Sequence, residues 1–327
     1  MILNKKRLKK IKGDASFRVF YRKKKDRKNS IIVQAHKEKE KNLLIYDAVN
    51  RLLIKNNILA PKLYSENYKE SFIEIEDFGN NTVFNLLKKN SANKINLYKN
   101  SVDLLNKIQK IKENKIKNFR GKIYKLPKYD KKELFKEAKL FSLWYAKKFI
   151  PKKKLAKFNT STNQQIKILL SGIKLKNKVF VHRDFHVSNL MVHKNKLGTI
   201  DTQDALLGNK AYDLASLIDD VRFKTKSKFK DQIYNYFIKV NKNLINRKNF
   251  LNDFEILSVL RNMKIIGIFT RLAMRDNKKK YLKLIPYAWE LIELRMKKNK
   301  KFKPLKEILD INFSKKIRCL KWKLILH

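Results

Sequence analysis

The stretch VFVHRDFHVSNLMVHKNKLGTID, from Val179 to Asp201, constrains this chain more than any other. An apolar triplet runs into His182-Arg183-Asp184, and Asn189 follows five positions after Asp184. Then "LMVH" and "GTI" flank "KNKL", a pattern that predicts a short β-hairpin. Asp201 closes the second apolar run, twelve positions after Asn189. Two acids and an amide are thus set in fixed order at the ends of short strands. Strands hold side chains more rigidly than free loops do.

The order and spacing match the template His-Arg-Asp-x-x-x-x-Asn, with a further Asp beyond it, that serves phosphoryl transfer. That reaction passes through a loose transition state with charge spread over the phosphoryl oxygens. The protein must therefore supply positioning, metal ligands and a proton acceptor. In this reading Asp184 accepts the proton of the acceptor hydroxyl. Asn189 and Asp201 hold Mg²⁺, a hard cation that takes oxygen ligands.

The flanking sequence supplies a frame. "SFRVFYRK" alternates, "SIIVQA" is a β-branched run, and "KKKDRKN" between them reads as a turn. Residues 38–57 carry Leu44, Ala48, Leu52 and Leu53 at helical spacing, and Pro61 is expected to break that helix. "SFIEIEDFG" alternates again and ends at Gly79. The first ~80 residues therefore read β-β-α-β-β. Beyond them the chain turns helical: one long helix or two over 82–113, then an amphipathic stretch with Leu134, Ala138, Phe141 and Tyr145 on one face. The Val179–Asp201 island is the clear β element of the second part, and helices return over 211–310. The expected fold is a protein-kinase-like two-lobe α+β structure. An antiparallel nucleotide-binding lobe with one helix covers residues 1–80. A larger helical lobe, 81–327, carries the catalytic loop and the hairpin, and ATP lies in the cleft between the lobes.

Composition narrows the partners. The 327 residues include 80 Lys+Arg against 29 Asp+Glu, a formal charge of +51. The basic residues are dispersed and mostly Lys, while Gly and Pro are scarce, which reads as codon bias of an A/T-rich genome rather than a polyanion footprint. Specific nucleic-acid binding is therefore not expected, although non-specific attraction to polyanions is. Hydrophobic residues make up 43%, enough for a sizeable core. The single Cys319 excludes an intrachain disulfide and a cysteine-rich zinc site. The start lacks the apolar core of a signal peptide, and no run reaches the ~18 apolar residues of a membrane span. A soluble, cytoplasmic protein is expected. The basic, apolar tail "FSKKIRCLKWKLILH" is read as a last helix packed on the domain, with a membrane-surface element as the alternative.

"TQDALLGNKAYDLASLIDD", after Asp201, extends the island into a family pattern. The whole stretch resembles the aminoglycoside-phosphotransferase-like superfamily. It is closest to the bacterial kinases that phosphorylate N-acetylmuramate and N-acetylglucosamine at the anomeric hydroxyl in cell-wall recycling. "GDASFR" (13–18), "EDFG" (76–79), "LFSLWY" (140–145), "RNMKIIGIFTRLAMRD" (261–276) and "YLKLIPYAWE" (281–290) carry the resemblance over most of the chain. It implies ATP and Mg²⁺ as cofactors and a small sugar as substrate, with Asp184 as base and Asn189 and Asp201 as metal ligands. It also implies a nucleotide-covering turn at Gly13, Asp14, Ala15, Ser16 and Phe17, and an adenine-reading hinge at Glu76, Asp77 and Phe78. The alternatives are an aminoglycoside or other small-alcohol kinase of the superfamily, and a nucleotide-binding scaffold without turnover.

Two departures stand out. Thr202 occupies the position where the family usually has Phe. The third strand, where kinases carry the Lys that holds the α/β-phosphates, offers Gln34; Arg18, His36 and Lys37 are the candidate replacements. Nearby, His186 reads equally as a substrate contact or a structural residue. Asp204 reads as a partner of the metal loop and Asp213 as an anchor of the catalytic loop. Trp144 is expected in the core rather than against a sugar.

Overall fold

The computed structural model describes residues 8–11, 18–24, 29–35, 41–297 and 299–320. They form two compact units: Met1–Pro127 with Val179–Leu207, and Lys128–Lys178 with Gly208–His327.

The first unit opens with an antiparallel sheet of five strands in the order β1-β2-β3-β5-β4. These are β1 (Leu8–Ile11), β2 (Val19–Lys23), β3 (Ser30–Gln34), β4 (Leu63–Asn67) and β5 (Phe72–Glu76). β1 is one strand more than the sequence pattern predicts. In "LKKI" only the two end residues are half-buried while the lysines are exposed, so no period-two signal marks it. Alternation places Ile31 and Val33 of β3, and Ala35 just after it, with Ile73 and Ile75 of β5 on one face, packed on Leu43 and Tyr46 of α1 (Lys41–Lys55). Helix α1 ends well before Pro61. Asn57, at φ 59, supplies the left-handed residue that ends helices, and Ile58 N–H donates back to Leu53.

The stretch after the sheet resolves as two helices. α2 (Val83–Lys88) is capped by the Thr82 hydroxyl, which accepts from Asn85 N–H. α3 (Lys94–Gln109) is capped by the Asn93 side chain, with Asn90 in the left-handed region between them. A small hairpin that the sequence pattern did not indicate follows, β6 (Lys115–Lys117) and β7 (Ile123–Lys125). At three residues each, and exposed at alternate positions, these strands are too short to show periodicity. The unit is completed by β8 (Val179–Val181), β9 (Leu190–His193), β10 (Lys196–Thr199) and β11 (Leu206–Gly208), paired as β9–β10 and β8–β11.

The second unit is helical. It contains α4 (Lys131–Ala138), a π-helical turn over Phe141–Ala146, α5 (Lys147–Phe149), α6 (Lys152–Ser171), α7 (Tyr212–Ile218), α8 (Ser227–Val240), α9 (Arg247–Arg275), α10 (Ile285–Met296), α11 (Lys303–Asn312) and α12 (Lys315–Arg318). The 29-residue α9 is buried on most sides. A Cβ at Gly267 would lie 2.3 Å from the Leu140 carbonyl carbon, so only glycine allows the π-helical segment to approach α9 this closely. Leu134, Ala138, Phe141 and Tyr145 are buried as their spacing predicts. Trp144 is only half-buried. The tryptophan of the core is Trp289, whose Nε1–H donates to Tyr145 Oη. The tail packs on this unit through Arg318, which bonds Glu293 and Asp310 and lies 4.8 Å over the Trp289 ring. Its last residues, 321–327, lie outside the described residues. Among the described residues no helix is long and apolar enough to cross a membrane.

Candidate active site

The site is built on the β9–β10 hairpin. Its register runs from Lys196↔His193 to Thr199↔Leu190, which shortens the expected turn to Lys194 and Asn195. Both have positive φ, 49 and 60, the handedness that suits a two-residue hairpin loop. Four backbone contacts lock the hairpin into the first unit. Val192 N–H donates to Asn81 O, Thr82 bridges Met191, Thr199 N–H donates to Leu59 O, and Gly198 bridges Leu59. A Cβ on Gly198 would stand 2.4 Å from the Leu59 carbonyl oxygen, so this crossing requires glycine.

The His-Arg-Asp triplet leaves β8 in a bent conformation, with Arg183 at φ 74. His182 is fully buried. Its Nε2 lies 2.6 Å from Thr199 Oγ1 and 3.1 Å from the Ile200 carbonyl. A carbonyl only accepts, so Nε2 carries the proton. Burial lowers the pKa of this ring and keeps it neutral, outweighing the opposite pull of Asp184. His182 thus ties the start of the catalytic loop to the end of β10. The Asp184 carbonyl accepts from His186 N–H at 3.0 Å and from Asn189 Nδ2 at 3.1 Å. These bonds fix the loop backbone and commit the amide nitrogen of Asn189, so its Oδ1 is the atom suited to a hard cation. His186 is buried against Asn189, with Nε2 to Nδ2 at 3.4 Å, which places it as a support of the loop.

Asp201 follows β10 at φ 63. Its Oδ1 accepts from Arg18 Nη2 at 3.3 Å and from Gln203 Nε2 at 3.2 Å. Burial raises its carboxyl pKa. Arg18 opposes that rise, and Asp184 and Asp204 add to it. A carboxylate beside two others is what a divalent cation relieves, so the residues fit Mg²⁺. Among the described residues no group of three or more His, Cys, Asp or Glu could hold a metal alone. Asn189 and Asp201 would each offer such a cation an oxygen.

The loop after Asp201 holds Gln203, which sequence reasoning passed over. Gln203, 5% exposed, accepts from Arg18 Nη1 at 2.7 Å through Oε1, and donates to Asp201 and to Asp204. Asp204 also faces Arg183 at 3.6 Å, in keeping with its expected place beside the metal loop. The Thr202 hydroxyl donates to Asn50 of α1. Tyr46, one turn earlier on α1, is pushed up to about 12 by burial and stays a neutral hydroxyl. The signal that could have found these residues was polar side chains, Asp47 and Asn50, within the otherwise apolar pattern of α1.

The predicted hinge adjoins the hairpin. Phe78 stacks on His193 with ring centroids 4.8 Å apart, and His193 Nε2 lies 3.8 Å from Glu76 Oε1. The Asp77 carboxylate is committed to its own turn, accepting from Arg22 Nη2 at 2.9 Å and from Gly79 N–H at 2.8 Å. The predicted covering turn, Gly13, Asp14, Ala15, Ser16 and Phe17, lies outside the described residues, as do His36 and Lys37. Asp213 is fully buried in the first turn of α7.

Residues 7–238 match the model of the phosphotransferase enzyme family. The chain belongs to the phosphotransferase enzyme family. This phosphotransferase is 28% identical over 281 residues to a protein of Neisseria meningitidis serogroup B named N-acetylmuramate/N-acetylglucosamine kinase, covering 84% of this chain and 81% of that one. A protein of the same name from Pseudomonas aeruginosa is 26% identical over 302 residues, 91% of this chain and 86% of that one. Among solved structures, the streptomycin–ATP–APH(2″)-IIa ternary complex superposes with a TM-score of 0.55 at 14% identity, over 84% of this phosphotransferase and 90% of that chain. At such identity the similarity shows a shared fold, the kinase-like α+β fold expected from the sequence. The chain is an enzyme that transfers phosphate.

Proposed function

We propose that this phosphotransferase uses ATP and Mg²⁺ to phosphorylate a small sugar, the anomeric hydroxyl of N-acetylmuramate or N-acetylglucosamine. The observation that carries the reading is the hairpin-borne set of Asp184, Asn189 and Asp201. Asp184 is fixed at its backbone by two hydrogen bonds, and Asn189 and Asp201 flank the same open end of one strand pair, where Ile200 N–H donates to the Asn189 carbonyl at 3.0 Å. The names of the relatives supply the acceptor. In the proposed reaction the Asp184 carboxylate takes the proton of the sugar hydroxyl as that oxygen attacks the γ-phosphorus. Asn189 and Asp201 would hold Mg²⁺, which when bound would supply positive charge to neutralise the transferring phosphate. The Phe78–His193 stack steadies the hinge proposed for adenine.

Charge favours a neutral or anionic acceptor over a polycationic aminoglycoside. A field from +51 slows the approach of cations. A cage for a polycation would need carboxylates to spare, and the four most plausible in the second unit are engaged. Asp253 accepts from Lys174 N–H and Leu175 N–H. Glu255 accepts from Asn299, Glu290 from Lys224, and Glu293 from Arg318. N-acetylmuramate carries a carboxylate and N-acetylglucosamine is neutral, so neither is opposed by the field. ADP release should follow addition of free N-acetylglucosamine and vanish with its methyl glycoside, which lacks an anomeric hydroxyl. Equal turnover of the glycoside would refute the anomeric assignment.

A further inference from the structure

In the kinase template the third-strand Lys pairs with a Glu of the following helix, so it must stand on the helix-facing side of that strand. Here the helix-facing residues of β3 are Ile31 and Val33, followed beyond the strand by Ala35, all packed with Leu43 and Tyr46 of α1. Gln34 alternates to the opposite face with Ser30 and Ile32. Gln34 is therefore not the positional equivalent of the Lys, and β3 offers no cation to α1. The neighbouring strand does. Val19 is the partner of Gln34, so continuing that register puts Arg18 beside Ala35, and alternation puts it on the face of Phe20, which packs on the same cluster.

The Arg18 side chain confirms this parity. It is 6% exposed, and its guanidinium lies 5.9 Å over the Tyr46 ring of α1. Nη1 donates to Gln203 Oε1 at 2.7 Å, and Nη2 donates to Asp201 Oδ1 at 3.3 Å. A guanidinium is thus fixed beside the proposed metal ligand on the side where the template sets its lysine. On α1 the group under this guanidinium is Tyr46, a neutral hydroxyl. Asp201, which a metal ion would also engage, pairs with this guanidinium.

We infer that Arg18 is the nucleotide-phosphate ligand of this enzyme, taking from β3 to the start of β2 the role of the template's lysine. This inference rests on the proposed use of a nucleotide. A guanidinium suits the role because its planar donors can engage two phosphate oxygens at once. Gln203 presets its orientation. When metal and nucleotide enter, Nη2 exchanges the long contact to Asp201 for a phosphate oxygen.

The test is titration calorimetry with ADP and with adenosine, both without Mg²⁺, on the wild type, Arg18→Met and Arg18→Gln. Omitting the metal separates Arg18 from the ligand role of Asp201. The wild type should prefer ADP to adenosine. Each variant should lose at least about tenfold in ADP affinity, the effect of one lost charge-assisted hydrogen bond, while adenosine affinity holds. The KM for ATP should rise and the KM for the sugar should not. Gln retains a donor for Asp201 and is the variant better suited to fold; either folded variant decides. ADP affinity within about twofold of wild type, or equal losses for ADP and adenosine, would overturn the inference. A wild type that binds no ADP would overturn it together with the nucleotide reading. A wild type that binds ADP yet phosphorylates no sugar would remove only the acceptor assignment.

Discussion

The Thr202 hydroxyl donates to the Asn50 side-chain oxygen at 2.6 Å, joining the residue after the proposed metal ligand to the middle of α1. Both side chains are buried, and Asn50 in turn donates to the Pro61 carbonyl at 3.1 Å. The position where the family usually has Phe is thus a polar tie in this chain. Thr202→Val keeps the shape and removes the hydroxyl, leaving the Asn50 oxygen unsatisfied. That should lower stability by about 1–3 kcal/mol in urea unfolding. Phosphotransfer should fall less than it does for a change at Asp201.

Gly198 is the tightest crossing behind the site. Gly198→Ala must push the Leu59 carbonyl away from β10, at a cost of about 1–3 kcal/mol. Because Thr199 N–H also donates to that carbonyl, the displacement should reach Asp201 two residues on. A lower melting temperature with weaker Mg·ATP binding is expected. Unchanged values for both would show that the crossing can relax.

What could be read from the sequence followed from periodicity and fixed spacing. The hairpin, the catalytic triplet and α1 each left such a mark. β1 did not, because an edge strand of two exposed lysines between half-buried ends does not alternate. The pattern carries α1 to residue 57, two past its end at Lys55, because a left-handed Asn57 leaves a weaker mark than a proline does. Gln203 and Asn50 went unnoticed because their roles depend on contacts 185 and 152 residues away, which no local pattern encodes. Gln34 was compared with the template's lysine by position along the strand, whereas strand parity decides which face a residue serves.

A charge centre holds the second unit together. Asp219 is fully buried and accepts from Arg295 at 2.7 and 2.9 Å and from Ser258 at 2.6 Å, with Lys230 at 3.2 Å. Burial alone would raise its carboxyl pKa; Arg295 and then Lys230 outweigh that and hold it well below the usual carboxylate range. A depressed folded-state pKa means the stabilisation is complete above about pH 4, the unfolded value, and is lost as pH falls below it. Asp219→Asn strands two cations and should cost about 3–5 kcal/mol at pH 7 in denaturant unfolding. The gap between wild type and variant should narrow when the pair is compared at about pH 3. A constant gap would show that Asp219 does not titrate with folding.

Asp184 and Asp201 should separate chemistry from binding. Asp184→Asn should reduce phosphotransfer by about 10²–10⁴-fold while Mg·ATP still binds. Asp201→Ala should weaken Mg²⁺-dependent nucleotide binding more than Asp184→Asn does. Calorimetry with ATP, with and without Mg²⁺, distinguishes the two roles. Equal Mg·ATP affinity for wild type and Asp201→Ala would contradict the ligand assignment.

The proposed reaction joins the γ-phosphoryl group of ATP to the anomeric oxygen of an N-acetylated amino sugar. Phosphorus NMR of the enzyme with Mg·ATP and N-acetylmuramate, N-acetylglucosamine or kanamycin tests it most directly. The account predicts the resonance of a sugar 1-phosphate, split by its anomeric proton, with one or both acetylated sugars and no new phosphate ester with kanamycin. Phosphorylation of kanamycin with neither acetylated sugar converted would contradict it.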